Sequence, residues 1–174
     1  FENKSEITLE QYMNMISKKT GALIRCSLNI GALIASKDDN VVEIFKKAGI
    51  DLGYGFQIRD DILGIWGSEG ATGKPVGSDI KRKKKSMPIL HALNTAASGD
   101  KKILNDIFAN EEISDNDIVT VLNIMDNTKS LKYSENLAKE YCYRSIACIE
   151  QIGLNKDSMD DFVNLAKFLA LRDF

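Results

Sequence analysis

The sequence predicts an all-α fold, and three observations carry that prediction. Apolar residues recur at i, i+3, i+4 and i+7 along most of the chain. No stretch alternates polar and apolar residues with the period of two that a half-buried strand needs. Only two prolines, at positions 75 and 88, interrupt the 174 residues. A hydrophobic content of 44% and a charged content of 28% are ordinary for a globular protein. Residues 1–174 are therefore read as a single helical domain with a real core.

The elements follow in order. Thr8, with Gln11 three residues on, has the form of a capping box. Leu9, Tyr12, Met13 and Ile16 continue at helical spacing, and this segment is expected to run to about Ala35 with a bend near Gly21. Asn40 with Glu43 caps a second helix, "VVEIFKKAGIDLGYGFQIRDDILGIW". That helix carries glycines at 49, 53, 55 and 64. An interior glycine costs roughly 1 kcal/mol against alanine, so a close approach by another group is expected there.

"GSEGATGKPVGSDIKRKKK" reads as a loop, punctuated by glycine and proline. Ser86 and Pro88 open a third helix, "MPILHALNTAA". Helical runs follow over 100–110 and 115–127, the latter started by Ser114 with Asp117. A long helix is expected over 130–152, stopped by Gly153, and a last one over 157–172.

Several function classes are disfavoured. A net charge of −2 gives no strong pull on nucleic acid or an anionic membrane. No apolar run approaches the roughly 18–20 residues that span a bilayer, and "FENKSEIT" has no signal-peptide pattern. Cys26, Cys142 and Cys148 lack metal-ligand spacing and read as small apolar fillers, which fits a reducing, cytoplasmic setting. His91 follows "MPIL" without a nucleophile near it in sequence and reads as a packing residue.

Chemistry concentrates on one helix face. Gln57, Asp60, Asp61 and Gly64 stand at i, i+3, i+4 and i+7, and Gly53 continues the stripe one turn earlier. Two unit charges 4 Å apart repel by about 4 kcal/mol at an effective dielectric near 20. A hard divalent ion would relieve that repulsion, and carboxylates without Cys or His select Mg²⁺ over Zn²⁺. Paired aspartates near a helix end can also simply face water. Downstream, Lys74 and the run from Lys81 to Lys85 offer point charges for phosphate oxygens, although a solvated charge run is an equal reading. Lys18, Lys19 and Thr20 add a further cationic and hydroxyl site.

Taken together, "KTGALI", "GYGFQIRDDILG", "TGKPVGSDI" and "KKSMPILHAL" resemble the C-terminal half of a trans-isoprenyl diphosphate synthase. The four segments occur in that family's order over roughly residues 8–95. The resemblance implies an isoprenoid-synthase-type helical bundle and a Mg²⁺-dependent prenyltransferase of isoprenoid biosynthesis. Such an enzyme ionises an allylic diphosphate and adds isopentenyl diphosphate to the resulting cation. By match to the family's motifs, Asp60 would ligate Mg²⁺ and Asp61 would support it, mostly through water. Lys19, Thr20, Gln57 and Lys74 would hold the allylic diphosphate, Lys84 would close over it, and Phe56 would line the substrate junction.

Two departures stand out. The family's second aspartate-rich motif reads Asp-Asp-x-x-Asp, and here its fifth position is Gly64. The family's first such motif belongs upstream of Phe1. The chain is accordingly expected to be the C-terminal half of the fold, unable to turn over alone, and to pair with its N-terminal half or form the homodimer that the resemblance implies. A non-catalytic subunit that retains the fold is the alternative reading.

Overall fold

The computed structural model describes residues 7–68, 70, 73 and 75–172. Among them are nine helices longer than three residues and no strand. These are α1 (Leu9–Lys18), α2 (Thr20–Ala35), α3 (Asp39–Trp66), α4 (Ser78–Lys81), α5 (Met87–Thr95), α6 (Ser98–Ala109), α7 (Asp115–Asn127), α8 (Ser130–Glu150) and α9 (Lys156–Leu171). Lys74 lies outside the described residues.

Caps explain most of the boundaries. Thr8 and Gln11 form the reciprocal box at the start of α1, with bonds of 3.1 and 3.2 Å. Ser114 and Asp117 do the same at α7. Asn155 accepts from the Ser158 amide at 2.9 Å to start α9, one residue before the expected position. Gly153, at φ +70°, follows α8 in the left-handed conformation that glycine adopts without strain.

The departures are local. The first helical segment breaks at Lys19 rather than bending at Gly21. Asp38, not Asn40, caps α3, accepting the Asn40 amide at 2.8 Å, while Glu43 pairs with Lys46 at 2.9 Å instead of reaching back. The segment read wholly as loop contains the short helix α4. Cys142 is a buried filler as expected, but Cys26 is exposed.

The chain divides into two compact units, each with its own core. One takes in the described residues of Phe1–Tyr12 and Asp60–Glu135, the other those of Met13–Arg59 and Asn136–Asp173. In the first, Ile65, Ile80, Ile89, Leu104, Val121 and Met125 pack out of water. In the second, Leu52, Cys142, Ile149, Phe162, Ala166 and Ala170 do so, and Phe45 meets Phe162 edge-on with ring centroids 6.5 Å apart. Each fully buried Leu or Ile contributes about 1.5–3 kcal/mol relative to its exposed state.

Glycine is what lets α2 approach α3 in the second unit. A Cβ on Gly53 would lie 2.7 Å from the Gly21 Cα, and one on Gly49 would lie 2.7 Å from the Arg25 Cα. Both clashes are with backbone, so no side chain can swing aside. Gly53→Ala should therefore destabilise by about 1–3 kcal/mol of overpacking, even though alanine is roughly 1 kcal/mol the better helix former. A lower urea midpoint at unchanged m-value is the expected result, and a raised midpoint would contradict the close packing.

Candidate functional site

In the first unit, α1, the C-terminal part of α3 and the segment after α4 converge on one carboxylate. Asp61 is fully buried. Its Oδ2 accepts the Tyr12 hydroxyl and, at 2.9 Å, the Met87 amide, and its Oδ1 lies 3.0 Å from Lys84 Nζ. The same ammonium stands 2.7 Å from Asp79 and 4.0 Å from Asp60. One lysine thus answers three aspartates.

The backbone aims Lys84 at this cluster. Past α4, Lys83 takes a left-handed φ of 55°. Its amide bonds the Ile80 carbonyl at 2.8 Å, and the Lys84 amide bonds the Asp79 carbonyl at 2.9 Å. This is a Schellman closure, which reverses the chain and satisfies the last carbonyls of α4. A non-glycine residue pays roughly 1–2 kcal/mol for that conformation. The Lys83 ammonium bonds the Asn110 carbonyl, and Lys81 pairs with Asp115 at 3.7 Å. Three members of the lysine run are therefore committed to partners within the unit.

Charge states follow from burial. Burial raises the Tyr12 phenol well above its ordinary value, and the Asp61 charge adds to that, so the hydroxyl stays a donor. Burial also pushes the Asp61 carboxyl up, against the pull of Lys84, Tyr12 and the Met87 amide. For Lys84, desolvation alone would lower the ammonium, but Asp61 and Asp79 outweigh it and hold it above its ordinary value. The lysine is a fixed cation.

Gly64 has a structural reason. A Cβ at that position would lie 2.3 Å from Asp79 Oδ2 and 2.5 Å from its Cγ. The Asp79 carboxylate, buried and held by Lys84, stands against the helix where a side chain at position 64 would emerge. Restoring the fifth motif residue by Gly64→Asp should thus displace Asp79, add a like charge and destabilise by about 1–3 kcal/mol. Thermal melts and a Mg²⁺ titration check this; a variant more stable than its parent, with tighter Mg²⁺ binding, would contradict it.

The second unit holds a separate polar pair. Thr20 Oγ1 donates to Gln57 Oε1 at 2.5 Å. Lys19, exposed, forms the turn between α1 and α2. Phe56 lies under the Arg172 guanidinium, 4.8 Å from its ring centroid, and the Arg172 carbonyl accepts from Arg59 Nε at 2.5 Å. His91, in the first unit, stacks on Tyr133 at 4.0 Å, and its Nδ1 is 2.9 Å from Ser130 Oγ, the surroundings of a packing residue.

Of the site residues read from sequence, the structure brings Asp60, Asp61 and Lys84 together, and Thr20 with Gln57. Tyr12 and Asp79 were missed. Tyr12 looked like one more apolar position of α1, and Asp79 was hidden in plain view within "TGKPVGSDI". An acid set two residues before a run of cations was the available signal.

The donor set suits a hard cation. Its ligating atoms are carboxylate oxygens without Cys or His, and the Asp60 side chain is 49% exposed while Asp61 is committed to three donors. Among the described residues, no group of three His, Cys, Asp or Glu side chains converges to hold a metal by itself. Water or the oxygens of a bound ligand would have to complete the shell. No helix of the described residues is long and apolar enough to cross a membrane.

The sequence profile of the polyprenyl synthetase family matches residues 1–125. The geranylgeranyl diphosphate synthase of Saccharolobus solfataricus is 38% identical over 173 residues, covering 99% of this chain and 52% of its own length. The geranylfarnesyl diphosphate synthase of Aeropyrum pernix is 32% identical over 165 residues, covering 95% of this chain and 51% of its own. The crystal structure of the geranylgeranyl pyrophosphate synthetase of Pyrococcus horikoshii superposes with a TM-score of 0.89 at 32% identity, covering 99% of this chain and 52% of that one. The all-α fold is therefore the one found in these synthases, and the chain spans about half the length of the curated relatives it matches.

Proposed function

Because this chain belongs to the polyprenyl synthetase family, we propose that it is part of a Mg²⁺-dependent prenyltransferase of isoprenoid biosynthesis. The reaction joins isopentenyl diphosphate to an allylic diphosphate. The C1–O bond of the allylic substrate breaks, and its electron pair leaves with pyrophosphate. The double bond of isopentenyl diphosphate attacks the allylic cation, and loss of a proton restores a double bond in the longer product. Such a reaction needs charge neutralisation and exclusion of water more than a side-chain nucleophile.

The observation that supports this reading best is the placement of Asp60 and Asp61 against Lys84. When bound, Mg²⁺ would neutralise charge on the departing diphosphate. Asp60 is the residue assigned to hold it. Asp61, fixed by Tyr12, Met87 and Lys84, keeps the last turns of α3 in place beside the residue that would hold the ion. Lys84, the cation that faces these carboxylates, would supply positive charge to the diphosphate. Thr20 and Gln57 present a hydroxyl and an amide to diphosphate oxygens, Lys19 and Lys74 supply cations, and Phe56 lines the path of the hydrocarbon.

The test is incorporation of labelled isopentenyl diphosphate into an allylic acceptor, with and without Mg²⁺. The 174-residue chain should give no product alone and should give product once the N-terminal half of the S. solfataricus synthase is supplied. Product that forms equally well in EDTA would refute the role given to the carboxylates.

A further inference from the structure

The members of the lysine run do not share one environment. Lys81 pairs with Asp115, Lys83 bonds the Asn110 carbonyl, and Lys84 meets Asp61 and Asp79. Lys85 is different: among the described residues, no acid or carbonyl bonds its ammonium. The residue is half-buried, and burial pulls the ammonium below its ordinary value with no acid to offset the effect. A partly desolvated cation without a counter-charge costs free energy.

Lys85 lines a cavity of about 280 Å³ whose lining lies wholly within the first unit. One wall is the start of α1, from Ile7 to Leu9. Helix α5 contributes Leu90, Leu93 and Asn94, at i, i+3 and i+4 and therefore from one face. Helix α6 contributes Lys101 and Asn105, again at i and i+4. The Lys101 ammonium, like that of Lys85, has no ion-pair partner among the described residues. None of the lining residues is acidic, and the lining shares no residue with the cluster of Asp60, Asp61, Asp79 and Lys84.

That combination selects an anion. A phosphate monoester carries about −1.5 to −2 charges near pH 7, which matches two lysines. Its oxygens accept from ammonium groups and from the amide N–H groups of Asn94 and Asn105. Leu90 and Leu93 add apolar surface that a free phosphate ion would not use. Pockets for drug-sized molecules begin near about 300 Å³, so the ligand is small. We propose that the cavity between the start of α1, α5 and α6 is a binding site for a small phosphate monoester with a short apolar group. Lys85 and Lys101 hold its phosphate, apart from the site of Asp60.

The test is methyl NMR on the 174-residue chain with labelled leucine, in EDTA so that no metal contributes. Titrated n-butyl phosphate should shift the Leu90 and Leu93 methyls to saturation and bind at least about fivefold tighter than inorganic phosphate. Lys85→Met should weaken that binding at least about tenfold. Lys101→Met should do the same, and it stands in if circular dichroism shows the first variant unfolded. Lys81→Met removes a charge of the same run outside the cavity, and Asp60→Ala alters the proposed metal site; both should bind as the parent does. Leucine methyls that do not move would overturn the proposal. So would inorganic phosphate that binds as tightly as its butyl ester, or a Lys81→Met loss equal to that of Lys85→Met. No arm involves Mg²⁺ or turnover, so this site and the prenyltransferase reading fail separately.

Discussion

Asp61→Ala is expected to cost about 3–5 kcal/mol of stability. The carboxylate is fully buried and accepts from the Tyr12 hydroxyl, the Met87 amide and the Lys84 ammonium. Removing it strands a hydroxyl and an amide away from water, at about 1–3 kcal/mol each. It also takes from Lys84 one of the carboxylates that neutralise it, although Asp79 at 2.7 Å remains. Against the 5–15 kcal/mol that holds a typical domain folded, that is a large fraction. Urea unfolding at neutral pH measures it. Asp61→Asn, which keeps an acceptor of the same shape, should recover part of the loss; equal losses for the two would mean the hydrogen bonds are not the source.

Asp60→Ala should behave oppositely. The side chain is half exposed, and its ion pair with Lys84 is long at 4.0 Å, so removal should change stability by no more than about 0.5 kcal/mol. Its effect belongs to function: Mg²⁺-dependent diphosphate binding, and turnover where the complete enzyme is assembled, should fall by at least about a hundredfold. On the proposed reading, the two adjacent aspartates would separate into one that holds the fold and one that meets the ligand. A pair of variants with the same melting temperature and the same activity would contradict that division.

The fold was largely legible because helical periodicity and capping are local signals. Thr8 with Gln11, and Ser114 with Asp117, announce helix starts within four residues, and both boxes form. The glycines of α3 also announced close neighbours, and positions 49, 53 and 64 have them within 3 Å of a built Cβ. What sequence reading did not supply depends on contacts across the chain. Tyr12 and Asp61 are 49 residues apart, so nothing near Tyr12 marks it as other than an apolar position. Asp79 matters because α4 sets it against Gly64 and the left-handed Lys83 returns Lys84 to it, and a segment rich in glycine and lysine gave no helical period to reveal that turn. The break at Lys19, where the backbone leaves helical angles at φ −88° and ψ −87°, has no local signal in "SKKTGALI" that places it there and not at Gly21.

Gly64 changes meaning in this setting. From the motif alone it is a missing carboxylate. In the folded chain it is the gap that admits Asp79 from α4, so three acids stand around Lys84 despite the glycine.

The most direct measurement is calorimetric titration of the 174-residue chain with geranyl diphosphate in the presence and absence of Mg²⁺, repeated on Asp60→Ala. Binding that requires Mg²⁺ and is lost in the variant is the predicted result. Binding that is indifferent to both the metal and the substitution would contradict a carboxylate-held magnesium–diphosphate site.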